Sequence, residues 1–218
     1  MQCLAILDSK IQISKTSKIQ DMIITVASYK GGVGKTTTSV HLAAYFQNKA
    51  PTLLVDGDPN RSATGWLKRG SLPFKVIDER LLARYARDYQ NIVIDTEAHP
   101  SEEDMATLVE GCDLLVLPTT PDVLALEALQ LTINNLESIG AKSYKVLLTI
   151  VPPKPSRDGD EARAMLKKGN VPIFKSQISR LVAFQKAALE GVPVNLARDP
   201  RAEKAWKEYL AVAKEITK

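Results

Sequence analysis

Short continuous apolar runs alternate along this chain with longer stretches in which apolar residues recur every three or four positions. A short unbroken run fits a strand buried on both faces, and the three-to-four spacing fits a helix with one buried side. Strands are expected at 22–27, 52–55, 91–96, 113–118, 144–151 and 171–178, with a shorter one at 74–77. Helices are expected from Lys35 through Gln47, then at 61–69 (or an irregular piece there), 79–87, 156–168 and 181–190, the last of these closed by Gly191. A long helix should open at Thr119-Thr120-Pro121-Asp122 and run through Leu124, Leu126, Leu129 and Leu136, with Thr120 as its cap and Pro121 in first helical position. A final helix follows Asp199-Pro200-Arg201, with Trp206, Tyr209, Leu210, Ala213 and Ile216 on one face, either docked on the sheet or lying on a membrane surface. This alternation predicts an α/β fold, a doubly wound and mostly parallel sheet with helices on both faces. Residues 22–218 read as one domain. Residues 1–21 read as a loose extension or an early start, with a short edge strand at 4–7 as the alternative.

Between the first strand and the first helix stands Lys30-Gly31-Gly32-Val33-Gly34-Lys35-Thr36-Thr37. Glycines without side chains let backbone N–H groups turn inward around an anion. The following helix adds its own free N–H groups and the positive end of its dipole. The whole segment 31–37 is therefore a phosphate cradle, with Lys35 reaching the β/γ-phosphates and the Thr36 hydroxyl on Mg²⁺. An ordinary P-loop has its first glycine at position 29, where this chain has Tyr29, and it needs no lysine at position 30.

Two later strands end in acids. The second ends in Asp56-Gly57-Asp58-Pro59-Asn60, and the strand at 91–96 ends in Asp95-Thr96. Acids at the carboxyl ends of parallel strands face the crevice where such folds bind ligands. Asp95 has the layout of a residue that orders a water on Mg²⁺. The Pro152-Pro153-Lys154-Pro155 turn stands where it can wall an adenine pocket, and His99 is a switch-loop residue or a plain solvent-facing one.

Charge adds a second theme. Residues 1–140 hold 13 Lys and Arg against 17 Asp and Glu, a balance of −4, while residues 141–218 hold 16 against 8, a balance of +8. The basic part is a candidate polyanion-binding face, or a solvated lysine-rich surface. No apolar run is long enough to span a bilayer. Cys3 and Cys112 have neither metal nor redox spacing, so a reduced, cytoplasmic setting is expected.

The loop, Asp56-Gly57-Asp58-Pro59-Asn60 and the acid-ended third strand together resemble the ParA/MinD family of deviant Walker-box P-loop ATPases, over everything from Met22 onward. The resemblance implies an ATPase using ATP and Mg²⁺. Its catalytic residues would be Lys30, which crosses a dimer interface to the partner's ATP, together with Lys35 and Asp58. Asp58 would position the attacking water, and Asp56 would support the Mg²⁺ shell with Thr36 and Asp95. The resemblance also implies a homodimer formed on ATP binding, non-specific DNA binding on the nucleoid, and a small cargo adaptor that stimulates hydrolysis. Lys175, Arg180, Arg201 and Lys204 lie in the segments that resemble the family's DNA-binding regions. Asn60 replaces the usual Gln, and Thr96-Glu97-Ala98-His99-Pro100 replaces the usual Pro-Pro. Segments 56–77 and 148–162 look most like the carboxysome-positioning branch, although that branch is described as lacking the lysine at position 30. The cargo is thus a carboxysome, a plasmid or a chromosome. A MinD-like membrane-positioning ATPase is the alternative. An iron–sulfur carrier would need paired cysteines, a ligase of this fold would need no Lys30, and a scaffold without turnover would need no Asp58.

Overall fold

The computed structural model describes residues 22–98 and 100–218. The expectations for residues 1–21 and for His99 lie outside the described residues. Six strands form one sheet: β1 (Met22–Ser28), β2 (Thr52–Gly57), β3 (Lys75–Asp78), β4 (Asn91–Ala98), β5 (Leu114–Thr119) and β6 (Tyr144–Leu148). Their order is β3-β2-β4-β1-β5-β6, and all pairings between them are parallel. The helices are α1 (Lys35–Gln47), α2 (Ser62–Arg69), α3 (Leu82–Tyr85), α4 (Glu102–Glu110), α5 (Val123–Ser138), α6 (Asp158–Lys168), α7 (Val182–Glu190) and α8 (Ala202–Ile216).

Neighbouring strand residues point to opposite faces, and both faces are covered. Ile24, Val26, Leu54, Val93, Val116 and Leu147 pack with residues of α1, α2, α7 and α8. Their neighbours Leu115, Leu117, Val146 and Leu148 pack with residues of α4, α5 and α6. Leu53, Val55, Ile92 and Ile94 cover the β2–β3 edge together with Leu82 and Ala86. Strands buried on both sides have no polar face to display, so they read as unbroken apolar runs. Helix α1 is buried over Lys35 and every position from Thr38 to Phe46. It is an internal helix, and its sequence shows little amphipathic contrast for that reason.

Several expectations need correction. The helix expected at 79–87 is three short pieces, 3₁₀ at Glu79–Leu81, one turn of α3, and 3₁₀ at Ala86–Asp88. Its buried anchors Leu82 and Ala86 are one turn apart, and nothing beyond that turn is apolar enough to extend it. The strand expected at 171–178 reduces to two isolated bridges, Val146 with Ile173 and Val151 with Ser179. Carboxylates of α8 take over part of its hydrogen bonding: Glu215 accepts the N–H groups of Lys175 and Ser176, and Glu208 accepts that of Ser179. Strand β6 ends at Leu148, because Ile150 turns left-handed with φ 51°. The cap of α5 is Asp122, whose Oδ1 accepts the Ala125 N–H at 3.0 Å, so Pro121 lies before the helix. Helix α4 was not anticipated, although Ser101 and Asp104 form a reciprocal capping box that the sequence displays.

Candidate functional site

The site lies at the carboxyl ends of β1, β2 and β4. Strand β1 ends fully buried and passes into the glycine loop through Lys30, whose N–H donates to Ser28 Oγ at 3.1 Å. Gly32 has φ 78° and Gly34 φ 87°, so both need the left-handed conformation that glycine adopts freely. Thr149 Oγ1 donates to the Val33 carbonyl at 2.7 Å and pins the loop to the chain just past β6. Gly34 is the cap residue of α1, no side chain caps that helix, and its first turn contains no acid. The helix therefore opens on unpaired N–H groups that only an outside anion or water can satisfy.

Lys35 is buried, with Nζ 3.4 Å from the Lys30 carbonyl. Burial pulls its pKa down, while the nearby Asp95 and Asp58 charges pull it up. One turn along, Ser39 Oγ donates to Asp95 Oδ1 at 3.0 Å. Asp56 and Asp95 are direct register partners across β2 and β4, and neither is accessible to solvent. Burial pushes the Asp95 carboxyl up to about 7, against the Thr36 and Ser39 hydroxyls. Thr64 donates to Asp56 Oδ2 from its N–H at 2.8 Å and its hydroxyl at 2.6 Å. Among the described residues Asp56 Oδ1 and Asp95 Oδ2 remain buried without a hydrogen bond.

Buried carboxylate oxygens without partners are costly unless a cation or ordered water meets them. Two such oxygens beside Lys35 and Thr36 fit Mg²⁺. No group of three or more His, Cys, Asp or Glu among the described residues is arranged to hold a metal by itself.

Asp58 stands on the turn after β2. Its Oδ1 accepts the Asn60 N–H at 2.8 Å and the Asn60 side-chain amide at 3.0 Å, and Ser62 Oγ donates to Oδ2 at 3.3 Å. Arg61, which the sequence did not single out, braces this turn through the Asp56 carbonyl and Asp78. Lys30 turns to its own chain, with Nζ 2.8 Å from Asp122 Oδ1. Ser39, Thr64, Asp122 and Thr149 were likewise missed. Of these only Ser39, one helical turn beyond Lys35, carried a local signal.

The four candidate DNA contacts Lys175, Arg180, Arg201 and Lys204 are all exposed. The 173–179 segment meets α8 through Ser179, whose N–H and hydroxyl both donate to Glu208 at 2.7 Å. A shallow hollow of about 730 Å³ is shared by Ser176, Gln177, Ser179, Lys204 and Lys207 with the acids Glu203 and Glu208. On the core side of α8, α1 and α8 meet at His41. Its Nδ1 is 2.6 Å from the Thr37 carbonyl, its Nε2 accepts the Val194 N–H at 3.0 Å, and its ring stacks on Tyr209 at 4.7 Å.

Comparison with known proteins agrees with this geometry. The profile of the CobQ/CobB/MinD/ParA nucleotide-binding domain matches residues 24–194. Maintenance of carboxysome distribution protein A from Gloeobacter kilaueensis is 38% identical over 201 residues, covering 89% of this chain and 93% of that protein. Protein ParA from Rhizobium radiobacter is 28% identical over 178 residues, covering 74% of this chain and 80% of its own. A plasmid partition protein from Borrelia burgdorferi bound to AMPPNP superposes with a TM-score of 0.69 at 20% identity, over 90% of this chain and 98% of that one. A six-stranded parallel sheet, a glycine loop opening an uncapped helix and a profile match over most of the chain give one conclusion: the protein belongs to the CobQ/CobB/MinD/ParA family of nucleotide-binding domains.

Proposed function

We propose that this protein is a positioning or partition ATPase that hydrolyses Mg²⁺-ATP between two copies of itself. The observation that carries the reading is the pair of register partners Asp56 and Asp95, each with a buried oxygen that no described residue hydrogen-bonds, Asp95 lying near Lys35 and Thr36 at the open end of α1. Segment 31–37 cradles the triphosphate, with Lys35 neutralising the β- and γ-phosphates. Thr36, Asp56 and Asp95 would hold Mg²⁺ and its waters, and the ion would supply positive charge toward the phosphates. Asp58 orients the attacking water. Lys30 leaves Asp122 and reaches the phosphates of the partner copy, where added positive charge stabilises the transition state.

Two copies side by side double the exposed basic surface around Lys175, Arg180, Arg201 and Lys204. Affinity for a polyanion rises steeply with the number of phosphates contacted, so ATP turns DNA binding on and hydrolysis turns it off. Helix α8 supports the DNA reading over the membrane one. Its Ala205, Tyr209, Val212 and Ala213 are buried in the core, so its apolar side is already used. No described helix is long and apolar enough to cross a membrane. On α5 the side chains of Val123, Leu124 and Leu131 are exposed, offering an apolar patch to a partner, either the second copy or a small adaptor that stimulates hydrolysis. The similarity to maintenance of carboxysome distribution protein A favours a carboxysome as the cargo distributed over the nucleoid.

The Asp58→Ala variant tests the reading. It is expected to bind ATP, sediment as a dimer and stay on DNA while releasing no phosphate above background. Turnover at the wild-type rate would remove Asp58 from its role. Absence of any Mg²⁺-dependent turnover in the wild-type protein would overturn the ATPase reading.

A further inference from the structure

Arg61 is held in a conformation that arginine rarely adopts, with φ 52° and ψ 46° at the start of α2. The left-handed region is disfavoured for a residue with a Cβ, so its surroundings must hold it there. Four bonds do so. Its Nη1 donates to the Asp56 carbonyl at 2.7 Å, and its Nη2 lies 2.9 Å from Asp78 Oδ2. Its own N–H donates to the Asp58 carbonyl at 2.8 Å, and its carbonyl accepts the Gly65 N–H at 2.7 Å. Asp56 and Asp78 are register partners at the ends of β2 and β3. One side chain thus spans two strand ends, and one backbone closes the turn that carries Asp58. Asp78 is itself paired with Arg80, with Nε at 2.9 Å from Oδ1 and Nη2 at 2.7 Å from Oδ2.

We infer that Arg61 is a positioning residue for hydrolysis, acting through Asp58 by locking the 56–61 turn between the ends of β2 and β3. The inference rests on the ATPase reading above and adds a residue to it. Among the described residues no hydrogen bond or ion pair joins Arg61 to the glycine loop or to Lys35, so its loss should leave nucleotide binding in place. The same bonds hold the backbone at Asp56 and the backbone at Asp58, so the metal-side carboxylate and the water-side carboxylate keep a fixed separation. Small misplacements of a catalytic group are enough to cost large factors in rate.

Arg61→Gly is the informative variant. Glycine accepts the observed backbone without strain, so the substitution removes the guanidinium's two anchors while adding no backbone strain of its own. The expected result is a fall of about tenfold or more in kcat with KM for ATP within about twofold, the split that marks a group acting only on the chemical step. Millimolar ethylguanidinium should restore part of the lost rate. Arg61→Lys should stay slow, because an ammonium cannot donate in the forked geometry that spans Asp56 and Asp78. Thermal melting of the Arg61→Gly variant should match the wild type. Turnover in Arg61→Gly equal to an active wild type would overturn this inference alone. A fall in kcat that comes with weaker ATP binding, a lowered melting temperature and no rescue would reduce Arg61 to a structural part. A wild-type protein without ATP turnover would overturn the ATPase reading, and this inference with it.

Discussion

Lys30 Nζ sits 2.8 Å from Asp122 Oδ1, tying the glycine loop to the cap of α5. The pair is partly exposed, with 31% of the lysine side chain and 53% of the aspartate side chain accessible. Pairs of that kind contribute about 1 kcal/mol or less. Asp122 therefore holds Lys30 only weakly.

Asp122 has two jobs that substitution can separate. Asp122→Asn keeps an oxygen for the Ala125 N–H and loses the ion pair, so it should lower unfolding stability by less than about 1 kcal/mol. Asp122→Ala also loses the cap and should lower it by about a further 1 kcal/mol. Urea denaturation of both variants measures the difference, and equal losses would show that the cap contributes nothing.

Lys35 is a buried cation whose pKa burial lowers, and among the described residues its Nζ hydrogen-bonds to one carbonyl, that of Lys30 at 3.4 Å, with the Asp95 and Asp58 charges nearby. Lys35→Met should abolish Mg²⁺-ATP binding in calorimetric titration. The same variant without nucleotide should be more stable by about 1 kcal/mol, since a desolvated charge is replaced by an apolar chain of similar length. A destabilised variant would mean that the charge supports the empty site.

The basic surface predicts a salt signature. With ATP present, duplex binding should be independent of sequence, and log affinity should fall linearly with log salt. Each phosphate contact removed should reduce that slope by about 0.9. Changing Arg180 and Arg201 together to Glu should abolish DNA co-sedimentation while ATP hydrolysis without DNA persists. Retained DNA binding would move the interface elsewhere, and binding to anionic vesicles but not to DNA would favour the membrane reading.

Burial holds the His41 pKa down at about 4, with the Thr37 carbonyl pulling weakly the other way. Its unfolded value is about 6.5, so between these values the unfolded chain binds more protons and stability falls as the pH is lowered. The full loss is about 3 kcal/mol, complete once the pH is below 4. Asp95, with its pKa raised to about 7, acts in the opposite direction over much of the same range. The measurement is therefore a difference between stability–pH curves. His41→Gln should be less stable than wild type at pH 7, and the gap should narrow on acidification from 6.5 to 4. A constant gap would mean that His41 does not titrate in this window.

The strand–glycine loop–helix order, the left-handed turns at Gly32 and Gly34 and the parallel α/β architecture were legible in the chain because their causes are local. Left-handed turns select glycine, two-face burial selects unbroken apolar runs, and each signal is complete within about ten residues. The acids at strand ends were legible for the same reason. What they face was not. Asp56 stands opposite Asp95 only because β4 inserts between β2 and β1, a choice made by the packing of whole strands. The contact of Lys30 with Asp122 joins residues 92 apart, and that of Ser179 with Glu208 joins residues 29 apart. The segment at 171–178 has the composition of a strand, yet α8 supplies carboxylates that take part of its hydrogen bonding, and a helix packed alongside leaves no trace in the segment itself. Arg61 shows the same division: its left-handed backbone is fixed by the Asp56 carbonyl and Asp78, partners that only folding brings within reach.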